Sequence, residues 1–216
     1  MEELKSLIAV IKTGARPEVK AAQKRVERFW HRSCSEPELG KEFSVFADEA
    51  RSYDEIPDLV HKLAFLHTLK WPLWSNDLGN FDFWAEFLLA RVQDPAGKIR
   101  LAAVRAAEYL AVDMLSCFDE PAGLKFKELS PEAKARVRAQ FFSFAQKADE
   151  LVRKYRTPEM KKYGYISSLP PGIYKSCQQL LNQSLLTTDD LKLQLLAFVR
   201  ERQAPSPLPP HKPGHA

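Results

Sequence analysis

A chain of 216 residues, 45% hydrophobic and 28% charged, is long enough for one large domain or a row of stacked repeats, and its composition excludes a wholly disordered polypeptide. The formal net charge of +4 is far from a histone-like excess of cations. Only eight glycines are present, and Ala, Leu, Glu, Lys and Arg, the strong helix formers, dominate.

A proline followed by glutamate and then by an apolar pattern of helical period recurs at Pro17-Glu18, Pro37-Glu38, Pro131-Glu132 and Pro158-Glu159. Proline fits the first helical turn, where its missing N–H has no partner to lose, and the acid complements the positive end of the helix dipole. The apolar spacing predicts helices over 2–13, 17–33, 37–52, 56–71, 80–93, 96–116, 131–155, 171–184 and 188–202. In the second of these, Val19, Ala22, Val26, Phe29 and Trp30 form an apolar stripe, opposed by Lys20, Lys24, Arg28 and Arg32 in steps of four. Ser130, Thr157 and Asp94 precede prolines as candidate N-caps, and Thr187-x-x-Asp190 resembles a capping box. No segment combines period-two alternation with turn dipeptides, so strands are not expected. Residues 1–202 are therefore predicted to form one all-helical domain. Gln203 to Ala216 holds five prolines and no apolar period, which predicts a Pro-rich, extended and flexible tail over 203–216.

Charge is unevenly placed along this scaffold. Ser35 to Asp58 carries eight acids against Lys41 and Arg51, a net of −6, whereas Lys125 to Lys162 carries eleven Lys and Arg against five acids, a net of +6. Cys34, Cys117 and Cys177 are odd in number and far apart, which fits reduced thiols and a cytoplasmic protein better than a disulfide framework. No apolar run has the length needed to cross a bilayer, so no membrane association is expected.

Phe87 to Leu110 carries the most specific pattern: an apolar helix ends at Val92, Asp94-Pro95 makes a turn, and a second helix opens with Ile99-Arg100, Ala102-Ala103, Ala106-Ala107 and Leu110. Over residues 81–115 this resembles a HEAT repeat. Alanines at three- and four-residue spacing let neighbouring helices approach closely. The resemblance implies an all-α fold of antiparallel helical pairs stacked as a short α-solenoid, with Arg100 reaching acceptors in the neighbouring repeat. A compact, non-repeating helical bundle is the alternative architecture. The helices over 81–92 and 96–116 are apolar on almost every side and are expected at the centre.

The residues offer little for catalysis. There is no Gly-rich phosphate loop, no G-x-S-x-G and no H-E-x-x-H, and His31 with Cys34 lacks a second ligand pair, so neither a metal nor a cofactor is expected. Three groups remain as candidate binding sites. Arg153, Lys154, Arg156, Lys161, Lys162, Tyr163 and Tyr165 mix cations with tyrosines, as partner interfaces and stacked nucleic acids both require. The ridge of Lys20, Lys24, Arg28 and Arg32 could neutralise phosphates. Trp71, Trp74 and Trp84 beside Asp77 and Asp82 form an aromatic-acidic group of the kind that HEAT-like DNA glycosylases of alkylated bases use in a concave groove. The expected role is a non-enzymatic interaction or scaffold module with a protein partner. Nucleic-acid binding, with or without base excision, is the alternative.

Overall fold

A computed structural model of the chain describes residues 2–33, 35–69, 80–118, 130–154, 169–182 and 189–203. Among these residues every regular element is helical and no strand occurs. The order is α1 (Glu2–Thr13), α2 (Arg16–Ser33), α3 (Pro37–Gly40), α4 (Val45–Arg51), α5 (Leu59–Thr68), α6 (Phe81–Arg91), α7 (Gly97–Leu115), α8 (Pro131–Lys154), α9 (Leu169–Asn182) and α10 (Asp189–Gln203).

The first pair follows its amphipathic pattern. α1 buries Leu4, Leu7, Ile8 and Ile11, with Glu2 and Glu3 at its positive end and Lys12 in its last turn. α2 buries Val19, Ala22, Val26 and Phe29 and leaves Lys20, Lys24, Arg28 and Arg32 exposed.

The single helix expected over 37–52 is broken. A 3₁₀ turn over Lys41–Ser44 separates α3 from α4. Tighter winding brings residues three apart toward the same side. Phe43 and Phe46 accordingly stack, with centroids 6.1 Å apart and rings inclined by 21°, and both are fully buried. α5 starts later than its apolar period suggests. Ile56 is extended (φ −61°, ψ 125°), as a residue before proline tends to be, and Asp58 after Pro57 becomes the N-cap. Its carboxylate accepts from the Val60 and His61 amides at 2.8 and 3.0 Å. The His61 ring then ties α5 to the end of α1, 2.8 Å from both Asp58 Oδ2 and the Gly14 carbonyl oxygen.

Around α7 the packing becomes dense. α7 touches α5, α6, α8 and α9, while α1 touches α2, α4 and α5, and α9 meets α10. Ala102, Ala103, Ala106, Ala107 and Ala111 are all buried, and their small side chains permit close approach of neighbouring helices. One apolar cluster runs from Leu4 to Val199. A chain of ring contacts through Phe46, Phe65, Tyr53, Phe87 and Trp84 spans α4 to α6, with successive centroids 5.4–6.2 Å apart.

Side-chain hydrogen bonds hold the Asp94-Pro95 turn. Asp94 Oδ1 accepts from the Ala96 amide at 2.8 Å, so it closes the turn before the helix instead of capping α7 itself. Arg100, 4% exposed, donates through Nη1 to the carbonyls of Asp94 and Pro95 at 2.6 and 2.9 Å. Through these two bonds the guanidinium satisfies carbonyls of its own turn, six and five residues back. Ser130 does cap α8: its Oγ accepts from the Ala133 amide at 3.2 Å. α9 begins two residues before the expected start, with Pro170 and Pro171 both in its first turn. Thr157 and Thr187 lie outside the described residues.

Candidate functional site

The exposed faces of α2, α5 and α7 enclose a groove of about 490 Å³. From α2 it takes Lys20, Gln23, Lys24 and Glu27, from α5 Leu66, His67 and Thr68, and from α7 Ala102, Arg105, Ala106 and Tyr109. A second depression of about 560 Å³ continues from Arg105 and Tyr109 toward α9, adding Glu108, Val112, Gly172, Lys175 and Ser176. The two share Arg105 and Tyr109, so adjoining depressions lie on either side of this α7 stripe.

Each helix contributes for a local reason. On α2 the period that buries Val19, Ala22 and Val26 turns Lys20 and Lys24 outward. On α7 the buried alanines set the floor, and Arg105, Tyr109 and Val112 rise from the one stripe not covered by neighbours. Gln23 Nε2 donates to the Ala64 carbonyl at 2.9 Å and so ties α2 to α5 beneath the groove, and Thr68 Oγ1 of α5 donates to the same carbonyl at 2.8 Å.

The surface is chemically mixed. Tyr109 is 51% and Val112 47% exposed, a large apolar area left in water on α7. Lys20, Lys24, Arg105 and Lys175 surround it, set against Glu27 and Glu108. Burial raises the Glu108 carboxyl above its ordinary range, opposed by the nearby Arg105 charge. Elsewhere some cations are matched, Lys12 with Glu49 at 2.8 Å, Arg25 with Glu3 at 3.1 Å and Arg91 in a fork onto Asp54, while others such as Lys5, Arg16 and Lys98 form no salt bridge among the described residues. Among the described residues, no such salt bridge engages Lys20, Lys24, Arg105 or Lys175.

The candidate residues from the sequence are distributed as follows. Of the basic ridge, Lys20 and Lys24 line the groove, while Arg28 and Arg32 lie beyond its lining and Arg32 sits over the Phe29 ring at 5.7 Å. Of the aromatic-acidic group, Trp84 is fully buried and packs edge-on against Phe83 and Phe87. Asp82 is exposed on the same helix and accepts from Gln140 Nε2 at 2.6 Å, so the two side chains point apart. Trp71, Trp74 and Asp77 lie outside the described residues, as do Arg156, Lys161, Lys162, Tyr163 and Tyr165. Arg153 and Lys154 belong to the last turn of α8, and nothing further about their side chains is described. Arg105 and Tyr109 were not singled out by sequence reasoning, because α7 reads as apolar almost all round. The signal was present in the spacing of Arg105, Tyr109 and Val112, four and three residues apart on one face.

Cys117 and Cys177 are buried and outside any disulfide, and burial pushes the Cys117 thiol up to about 11. Among the described residues no group of three or more His, Cys, Asp or Glu side chains is placed to hold a metal ion, and no helix is long and apolar enough to cross a membrane. Compared with protein-family models, with curated proteins and with solved structures, the chain matches none.

Proposed function

We propose that this protein is a non-enzymatic interaction module built as a short HEAT-like α-solenoid, and that it binds a protein partner along the surface formed by α2, α5, α7 and α9. The carrying observation is the pair of adjoining depressions on these helices: exposed Tyr109 lines both, exposed Val112 lines the second, and Lys or Arg side chains line each. Aromatic residues and arginine in a partly desolvated depression are the side chains that dominate protein interfaces. Helical repeats present such a face because every second helix aligns along one side of the array. Contacts between α5 and α7, between α7 and α9, and between α6 and α8 support that stacking. Cys117 and Cys177, both buried and outside any disulfide, support a cytoplasmic setting.

Nucleic acid is the second reading, because Lys20, Lys24, Arg105 and Lys175 share the surface. Glu27, three residues after Lys24, and Glu108, three residues after Arg105, interrupt that basic path and weigh against a phosphate backbone. The base-excision version loses support from the separation of Trp84 and Asp82.

A photo-crosslinking amino acid at Tyr109, compared with one at the exposed Leu193 of α10, tests the reading in living cells. A protease-sensitive, nuclease-resistant adduct at position 109 and not at 193 is expected. Nuclease-sensitive adducts, or equal crosslinking at the two positions, would defeat it.

A further inference from the structure

The groove also constrains what the partner looks like. We infer that its occupant is an acidic amphipathic helix, a peptide segment with an apolar stripe flanked by carboxylates; this rests on the protein-interaction reading above. Three observations point the same way.

First, the charge is one-sided in a particular manner. The surface carries four Lys and Arg side chains against two glutamates. Those cations form no salt bridge with another described residue, whereas Lys12, Arg25 and Arg91 are paired. An excess of cations over carboxylates around a concavity attracts acidic segments and disfavours basic ones by like-charge repulsion. Second, the centre is apolar. Tyr109 and Val112 stand open to solvent, with Leu66, Ala102 and Ala106 in the lining. Apolar side chains of an occupant would cover Tyr109 and Val112, since Leu66, Ala102 and Ala106 are already buried, while its acids reach the rim. Third, the dimensions suit a helix. Arg105 to Val112 is two turns of α7, about 10 Å along its axis at 1.5 Å per residue. Two turns of an occupant present apolar anchors at i, i+3, i+4 and i+7 over that span, the pattern of helix-in-groove recognition.

The alternative ligand of a basic surface, a polyphosphate strand, fits less well. Its charges repeat without interruption, and Glu27 and Glu108 sit within the lining at positions that such a strand would have to cross. A peptide can leave those positions neutral.

Selection from a displayed library of random 16-residue peptides against the full chain tests the inference. The same selection is run on Lys24→Glu/Arg105→Glu and on Tyr109→Ala, all exposed positions, with circular dichroism to verify that each variant is folded. The expected winners carry excess Asp and Glu around apolar residues of helical period. Their affinity, by fluorescence anisotropy, should fall about tenfold or more in the charge-reversal variant and survive in Arg105→Lys. Winners that are neutral or basic, yet still lost in Tyr109→Ala, would overturn the acidic occupant and leave the interaction module standing. Acidic winners that bind every variant equally would overturn the placement in this groove. If no peptide is enriched while a labelled DNA duplex binds and is lost on charge reversal, both this inference and the protein-partner reading fall. No enrichment and no duplex binding overturns the acidic helix alone.

Discussion

Both ring nitrogens of His61 face oxygens that only accept, the Asp58 carboxylate and the Gly14 carbonyl, each at 2.8 Å. A neutral imidazole satisfies one of them, so the pair of contacts selects the imidazolium. The Gly14 carbonyl first, and Asp58 second, hold the His61 pKa above its ordinary value, and the His61 amide and ring hold Asp58 below its own. The signs then differ for the two groups. Stability from His61 is fully present below the unfolded value of about 6.5 and is lost as pH rises through the higher folded value. Stability from Asp58 is present above about 3.9 and is lost as pH falls through its lower folded value. The urea midpoint of the wild-type chain should therefore decline as pH rises above about 6.5, and His61→Gln should flatten that decline. Parallel pH profiles for the two proteins would show that this bridge does not titrate as described. Nothing in the sequence marked His61 for this role, since its acceptors lie 3 and 47 residues away.

At the level of single helices, the termini obey local chemistry where the cap lies next to the helix it serves. Ser130 is such a case, and Ser130→Ala should cost about 1 kcal/mol of stability, read as a shift in urea midpoint, while Ser130→Asp should restore most of it. An unchanged midpoint in Ser130→Ala would mean that α8 is held by packing alone. The turn between α1 and α2 has a different requirement. A Cβ at Gly14 would stand 2.7 Å from the Val10 carbonyl oxygen and 2.9 Å from Val10 Cγ1, so space, and not an unusual φ, calls for glycine there. The break between α3 and α4 was not legible, because a continuous helical pattern and a 3₁₀ interruption place nearly the same residues inward. The Phe43–Phe46 stack that favours the tighter winding exists only once both rings are buried.

Across the whole molecule, α7 is the element on which the others depend. It meets helices on several sides and does so through alanines, with Ala103, Ala107 and Ala111 fully buried. Enlarging one of them forces neighbours apart, so Ala107→Leu should destabilise the fold by about 1–3 kcal/mol. Val112→Ala on the exposed stripe should stay within about 0.5 kcal/mol of wild type. Chemical denaturation of the two variants checks the contrast, and equal midpoints would remove α7 from the centre. Because one apolar cluster joins α1 to α10, loss of α7 packing is expected to melt the helices together.

The sequence alone determined that the chain is helical, where most helices run, and which faces are apolar, because propensity, capping and periodicity act within a few residues. The stripe of Leu4, Leu7, Ile8 and Ile11 and the outward row of Lys20, Lys24, Arg28 and Arg32 were readable for that reason. Tertiary structure decided which outward side chains converge. Lys20 and Lys24 meet Arg105 and Tyr109, some 80 to 90 residues along the chain, while Arg28 and Arg32 on the same ridge do not; Lys175 joins Arg105 and Tyr109 on the other side. It also sent Trp84 into the core and Asp82 to solvent, although the two are neighbours in sequence. A binding surface depends on how helices are turned about their axes and set side by side, and that is fixed by long-range packing of apolar faces, which local spacing does not encode.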